Sequence, residues 1–137
     1  MADIDAMNAI QISSGKKSAM VKIPEAKFLN DVAVKGSDVY VSDTTINKVF
    51  VVQKSSSYKT FVEGPTTEAP NGVLPNGKNL LIAAWGPGLK ADFSTERPGR
   101  VLEVDFKTKK ITPWTEKPLG HLDGIELDGK DAVIVSD

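Results

Sequence analysis

The chain has 137 residues, of which 40% are hydrophobic, 26% charged and 7% aromatic, the size and balance of one globular domain. Seventeen basic residues against eighteen acidic ones give a net charge of −1, so no basic field exists to draw in nucleic acid. Cysteine is absent, which excludes disulfides, zinc–thiolate and iron–sulfur sites and thiol nucleophiles, and a single histidine cannot build a multi-histidine metal centre.

The N-terminal stretch Met1-Ala2-Asp3-Ile4-Asp5 is acidic and lacks the basic and apolar regions of a signal peptide. No apolar run approaches the roughly 20 residues of a membrane span. These features predict a soluble, cytoplasmic protein with neither a membrane nor a nucleic-acid partner. Residues 8–12 and 18–23 then read as two short strands. Residues 28–62 carry four, among them Asp38-Val39-Tyr40-Val41-Ser42 and Lys48-Val49-Phe50-Val51-Val52, which alternate and are rich in β-branched and aromatic residues. Residues 70–115 carry four more. They include the continuous apolar run Leu80-Leu81-Ile82-Ala83-Ala84, expected to be covered on both faces, and Arg100-Val101-Leu102-Glu103-Val104. Residues 122–136 supply two strands, the second being the continuous apolar run Ala132-Val133-Ile134-Val135, which is likewise expected to be covered on both faces. No window of ten residues has helical spacing. The fold class is all-β.

The strands repeat. Leu29-Asn30-Asp31-Val32, Pro70-Asn71-Gly72-Val73 and Leu122-Asp123-Gly124-Ile125 open segments of one shape: an Asn or Asp, an apolar strand, a Gly-containing turn, a second strand. Two of the segments close on Val-Ser-Asp, at residues 41–43 and 135–137. Four-stranded units of about 40–50 residues are β-propeller blades; a β-sandwich with coincidental hairpins is the competing architecture. With strands lettered A to D from the axis outwards, the order is CD-ABCD-ABCD-AB. Residues 1–27 are then the outer strands C and D of a shared blade, 28–69 and 70–121 are blades, and 122–137 are the inner strands A and B of another shared blade. Known rings need about four to eight blades. Three blades' worth of strands therefore predicts a homodimer in which a second copy completes six blades by closed symmetry, or else a fragment of a longer protein.

At Pro70-Asn71-Gly72 and Leu122-Asp123-Gly124 the sequence resembles the senescence marker protein/gluconolactonase/luciferin-regenerating family. Leu29-Asn30-Asp31-Val32, Asn76-Gly77-Lys78-Asn79 and Gly99-Arg100-Val101-Leu102-Glu103-Val104-Asp105 support the match, which covers about residues 28–137. Strictosidine synthase-like and paraoxonase-like propellers are the alternative families for this resemblance. The resemblance implies a six-bladed, calcium-type lactonase with a divalent cation on the axis. It makes Asn71 and Asp123 metal ligands and Asn30 a substrate contact. The chain lacks the blade that carries the family's glutamate ligand, so the cation, calcium before magnesium, is expected to be weakly held.

The residues themselves agree on the chemistry, because amide and carboxylate oxygens suit hard cations. Asn-Gly and Asp-Gly are also common turn formers. Asp123 is the expected proton acceptor, His121 a base or substrate contact near the channel mouth, and Trp85 a wall of the substrate pocket. Asp43 and Asp137 read as strand-end turn residues, whereas the side-chain direction of Asp31 is left open. The loop Gly86 to Gly99 is long for a hairpin connection and reads either as a lid, with Phe93 and Arg97 as contacts, or as a flexible loop with no role. The function expected is a metal-dependent hydrolase of a lactone or small ester. The alternatives are an inactive half-propeller that binds small molecules or assembles, or a fragment of a longer lactonase-like protein.

Overall fold

A computed structural model describes residues 1–54 and 56–137. Thirteen strands lie among these residues, with one 3-10 turn at Pro65–Thr67. The N-terminal sheet has the order β1(Ala2–Asp3), β2(Ala6–Ile10), β3(Lys17–Lys22). The first blade is β4(Leu29–Lys35), β5(Asp38–Asp43), β6(Lys48–Val52), β7(Tyr58–Glu63), and the second is β8(Pro70–Asn76), β9(Asn79–Ala84), β10(Val101–Asp105), β11(Ile111–Pro113). A C-terminal hairpin pairs β12(Ile125–Asp128) with β13(Ala132–Val135). Every pairing is antiparallel, so the chain is an all-β partial propeller. No helix among the described residues is long and apolar enough to cross a membrane.

Period-two alternation explains how the sheets stack. On β5 and β6, Tyr40, Val49 and Val51 face the second blade, while Val41, Phe50 and Val52 face the N-terminal sheet. On β9, Leu80, Ile82 and Ala84 join the core between the two blades, and Leu81 and Ala83 join the core against the C-terminal hairpin. The unbroken apolar run 80–84 is therefore required: both of its faces are buried. The run 132–135 departs from the expectation, because only Val133 and Val135 pack on the core while Ala132 and Ile134 lie on the exposed face of the hairpin. Each fully buried Leu, Ile, Val or Phe contributes about 1.5–3 kcal/mol relative to exposure.

One expectation is corrected at the N-terminus. The sheet has three strands rather than two, because Ala2 and Asp3 turn back through Ile4-Asp5 and pair with Met7 and Ala6. The termini of this pairing close through Asn8 N–H on Met1 O at 2.9 Å. β1 thus occupies part of the inner edge of β2, the edge that an A–B pair from a second copy would need. The two strands beyond it start and stop one or two residues earlier than the sequence pattern predicts.

The Val-Ser-Asp repeats have a structural role. Asp43 is fully buried and accepts from the backbone N–H groups of Lys27 and Phe28 at 2.6 and 3.1 Å. Asp137 accepts from His121 N–H at 2.7 Å in the corresponding place. Ser42 Oγ accepts from Asp31 N–H, and Ser136 Oγ accepts from Gly124 N–H. Each device ties the opening of an A strand to the end of its B strand, so β4 and β12 begin at equivalent places.

Candidate site at the inner-strand openings

Those openings converge on one pocket of about 220 Å³, lined by Phe28, Asn30, Thr44, Asn71, Trp85, Phe93 and Asp123. Asn30 lies on β4, Asn71 on β8, and Asp123 two residues before β12. The structure brings the three together, as the blade spacing predicts. Asn71 is 3% exposed and its Nδ2 donates to Leu122 O at 3.3 Å, which seats the amide beside Asp123. Its Oδ1 is buried with no hydrogen-bond partner. A buried acceptor left without a donor costs about 1–3 kcal/mol.

A hydrogen-bond chain fixes the openings against one another. Asn30 Nδ2 donates to Thr44 Oγ1 at 3.3 Å, and Thr44 Oγ1 donates to Pro70 O at 3.0 Å. Ser42 Oγ donates to Asn71 O at 2.6 Å. Gly72 permits the approach of the hairpin: a Cβ there would stand 2.5 Å from Asp123 O and 3.0 Å from Ile125 N. Asp31 points elsewhere. Its carboxylate accepts from Val32 N–H and Val73 N–H, both at 2.8 Å, and so stitches the two A strands.

The aromatic wall comes from both sides of the loop 86–99. Trp85 Nε1 donates to Phe93 O at 3.0 Å, and the Phe93 ring meets the rings of Trp85 and Phe28 at centroid distances of 6.5 and 6.1 Å. The loop closes on itself through Glu96 N–H on Pro87 O at 2.9 Å. It covers the pocket through Phe93, as expected of a lid, but Arg97 turns away. Arg97 Nη2 lies 2.7 Å from Glu68 Oε1 and anchors the loop instead.

His121 is not in the pocket wall. Its ring stacks on Trp85 at 5.2 Å, and its Nδ1 lies 2.8 Å from Trp85 O. A carbonyl oxygen can only accept, so Nδ1 carries a hydrogen. Phe28 and Thr44 are pocket residues that the sequence reading missed. The strand register was the available signal: Asp43 and Ala84 pair with Leu29 and Pro70, which makes Thr44 the equivalent of Trp85.

No family model and no curated protein matches the chain. Solved structures do. A catalytically inactive variant of virginiamycin B lyase from Staphylococcus aureus, with quinupristin, aligns at a TM-score of 0.70 and 15% identity over 96% of this chain. A streptogramin B lyase structure aligns at 0.69 and 12% over 97%, and selenomethionine-substituted virginiamycin B lyase from Staphylococcus aureus at 0.64 and 16% over 97%. The chain spans 41%, 41% and 42% of those chains. At these identities the likeness establishes the fold alone. The chain has the fold of part of a β-propeller.

Proposed function

We propose that the pocket at the inner-strand openings is a cation-dependent hydrolytic site for a small lactone or ester. The observation that carries this reading is the buried, unpartnered Oδ1 of Asn71, a residue that lines the same pocket as Asp123. The polar groups around it are amides, a hydroxyl and a carboxylate, with no sulfur or imidazole, which fits calcium or magnesium. Asn71 Oδ1 and Asp123 would hold the ion. Among the described residues no three His, Cys, Asp or Glu side chains cluster, so the ion is expected to bind weakly and to keep several waters. When bound, such a cation polarises a carbonyl oxygen.

The chain's own residues account for the remaining roles. Asp123 is the one carboxylate in the pocket wall and takes the proton of the attacking water at its side-chain oxygens. Asn30 has its Nδ2 committed to Thr44, which leaves Oδ1 to orient a substrate hydroxyl. Phe28, Trp85 and Phe93 give the substrate an apolar surface and exclude water. The size of the pocket restricts the substrate to a small molecule.

The single carboxylate favours one second reading, a small-molecule-binding or assembly module without catalysis. Hydrolysis of simple lactones and small esters, assayed with added calcium and again with chelator, separates the two. The proposal expects turnover that chelator abolishes and calcium restores. Saturable binding of the same compounds without turnover would support the module.

A further inference from the structure

A second cavity, of about 230 Å³, lies among the middle and outer strands of the two blades, lined by Asp38, Tyr40, Val51, Lys59, Thr60, Phe61, Phe106 and Lys109. It shares no residue with the pocket described above. Its floor is aromatic: the Tyr40 ring meets Phe61 at 4.8 Å and Phe106 at 5.2 Å, and Phe61 meets Phe106 at 5.8 Å. Lysines crowd this floor. Lys109 Nζ stands 3.8 Å over the Phe61 ring and Lys35 Nζ stands 3.8 Å over the Phe106 ring. Backbone carbonyls of Phe106 and Gly77 accept from these two ammonium groups. Among the described residues, neither of them nor Lys59 is in an ion pair.

Lys109 sits in an unusual place for a lysine. Its φ is +63°, at the turn between β10 and β11, a left-handed position where glycine or asparagine is the ordinary choice. The chain accepts that strain and thereby holds an ammonium over Phe61. Burial, and then the charge of Lys59, keep Lys109 below the ordinary lysine range, with Asp105 opposing them. Asp105 itself is occupied by the Lys107 and Thr108 N–H groups and the Thr108 hydroxyl. Asp38 is the only carboxylate in the cavity wall, against the ammonium groups of Lys59, Lys109 and Lys35. Positive charge is therefore in excess here, beside a cluster of three rings inclined to one another by 50–78°.

We propose that this cavity binds a small aromatic carboxylate, its ring packed against the inclined rings of Tyr40, Phe61 and Phe106 and its carboxylate between Lys59 and Lys109. A planar aromatic ring packs edge-to-face against rings so inclined, and a single negative charge relieves the repulsion between the two ammonium groups. The site is independent of the hydrolytic reading and lies wholly within the two complete blades.

Titration of the 137-residue chain with benzoate at low ionic strength, followed by amide chemical shifts, tests it. Saturable shifts are expected at Lys59, Thr60, Phe61, Phe106 and Lys109. Lys109→Gly removes the ammonium while relieving the left-handed strain, so the variant should melt no lower than the parent yet bind benzoate about tenfold more weakly or worse. Lys59→Ala should weaken binding as well. Absence of saturation in the parent chain, or unchanged affinity in both variants, would overturn the proposal. Inorganic phosphate competing as well as benzoate would overturn the aromatic assignment, because the floor would then contribute nothing.

Discussion

Asp31 on β4 accepts a hydrogen bond from the backbone N–H of Val73 on β8 at 2.8 Å, so one carboxylate joins the inner strands of two blades. Its other oxygen takes the N–H of Val32. Removing the side chain leaves an inter-blade donor unpaired next to the site. Asp31→Ala is expected to cost about 2 kcal/mol in denaturant-midpoint measurements. Asp31→Asn should recover part of that, since an amide oxygen still accepts.

Gly72 should tolerate no side chain. A Cβ would press on the backbone of Asp123 and Ile125, which belongs to the packed hairpin and cannot yield as a flexible side chain would. Gly72→Ala is expected to lower stability by about 1–3 kcal/mol, read as a fall in Tm. The same displacement moves Asp123 relative to Asn71, so cation affinity should fall with it.

The turn at 105–110 carries a pH signature. Backbone and side-chain hydrogen bonds from Thr108 hold the Asp105 carboxyl below its ordinary range. Because folding lowers this pKa, the stabilisation is present above the ordinary carboxylate range. It is lost as pH falls through the depressed folded value. Asp105→Asn should flatten the acid limb of the stability–pH curve, measured by urea denaturation between neutral and acid pH; an unchanged slope would contradict the assignment.

Much of the fold was legible in the sequence because alternation and turn chemistry recur with the blade. The run 80–84 announces two-sided burial and the strands 38–42 and 48–52 announce themselves by alternation, and the structure places the alternate residues of all three in different cores. The shared positions of Asn30, Asn71 and Asp123 followed from the same repeat. Other features were hidden for physical reasons. Whether Asp31 faces the axis or a neighbouring strand depends on the register shift in the β4–β5 pairing between Leu29 and Val32, which no local pattern encodes. β1 escaped notice because two residues are too few to show a period. Arg97 was read as a pocket contact because its partner, Glu68, is 29 positions away in sequence.

That short strand bears on assembly. Closing a six-bladed ring from two copies requires β13 of one to pair beside β2 of the other, and β1 stands on that edge. If two copies associate as proposed from the strand order, deleting residues 1–3 should raise the dimer fraction in light scattering at a given concentration. A monomer mass for both chains throughout the accessible concentration range would contradict two-copy closure.

The central claim is that Asn71 and Asp123 together take a hard cation. Trp85 lines the same pocket and can sensitise a bound lanthanide, so terbium luminescence on excitation of tryptophan tests the claim most directly. The account predicts a saturable signal that calcium displaces, that Asp123→Asn abolishes, that Asn71→Leu weakens and that Trp85→Phe darkens without loss of calcium binding. No saturable signal, or a signal indifferent to both Asp123→Asn and Asn71→Leu, would contradict it.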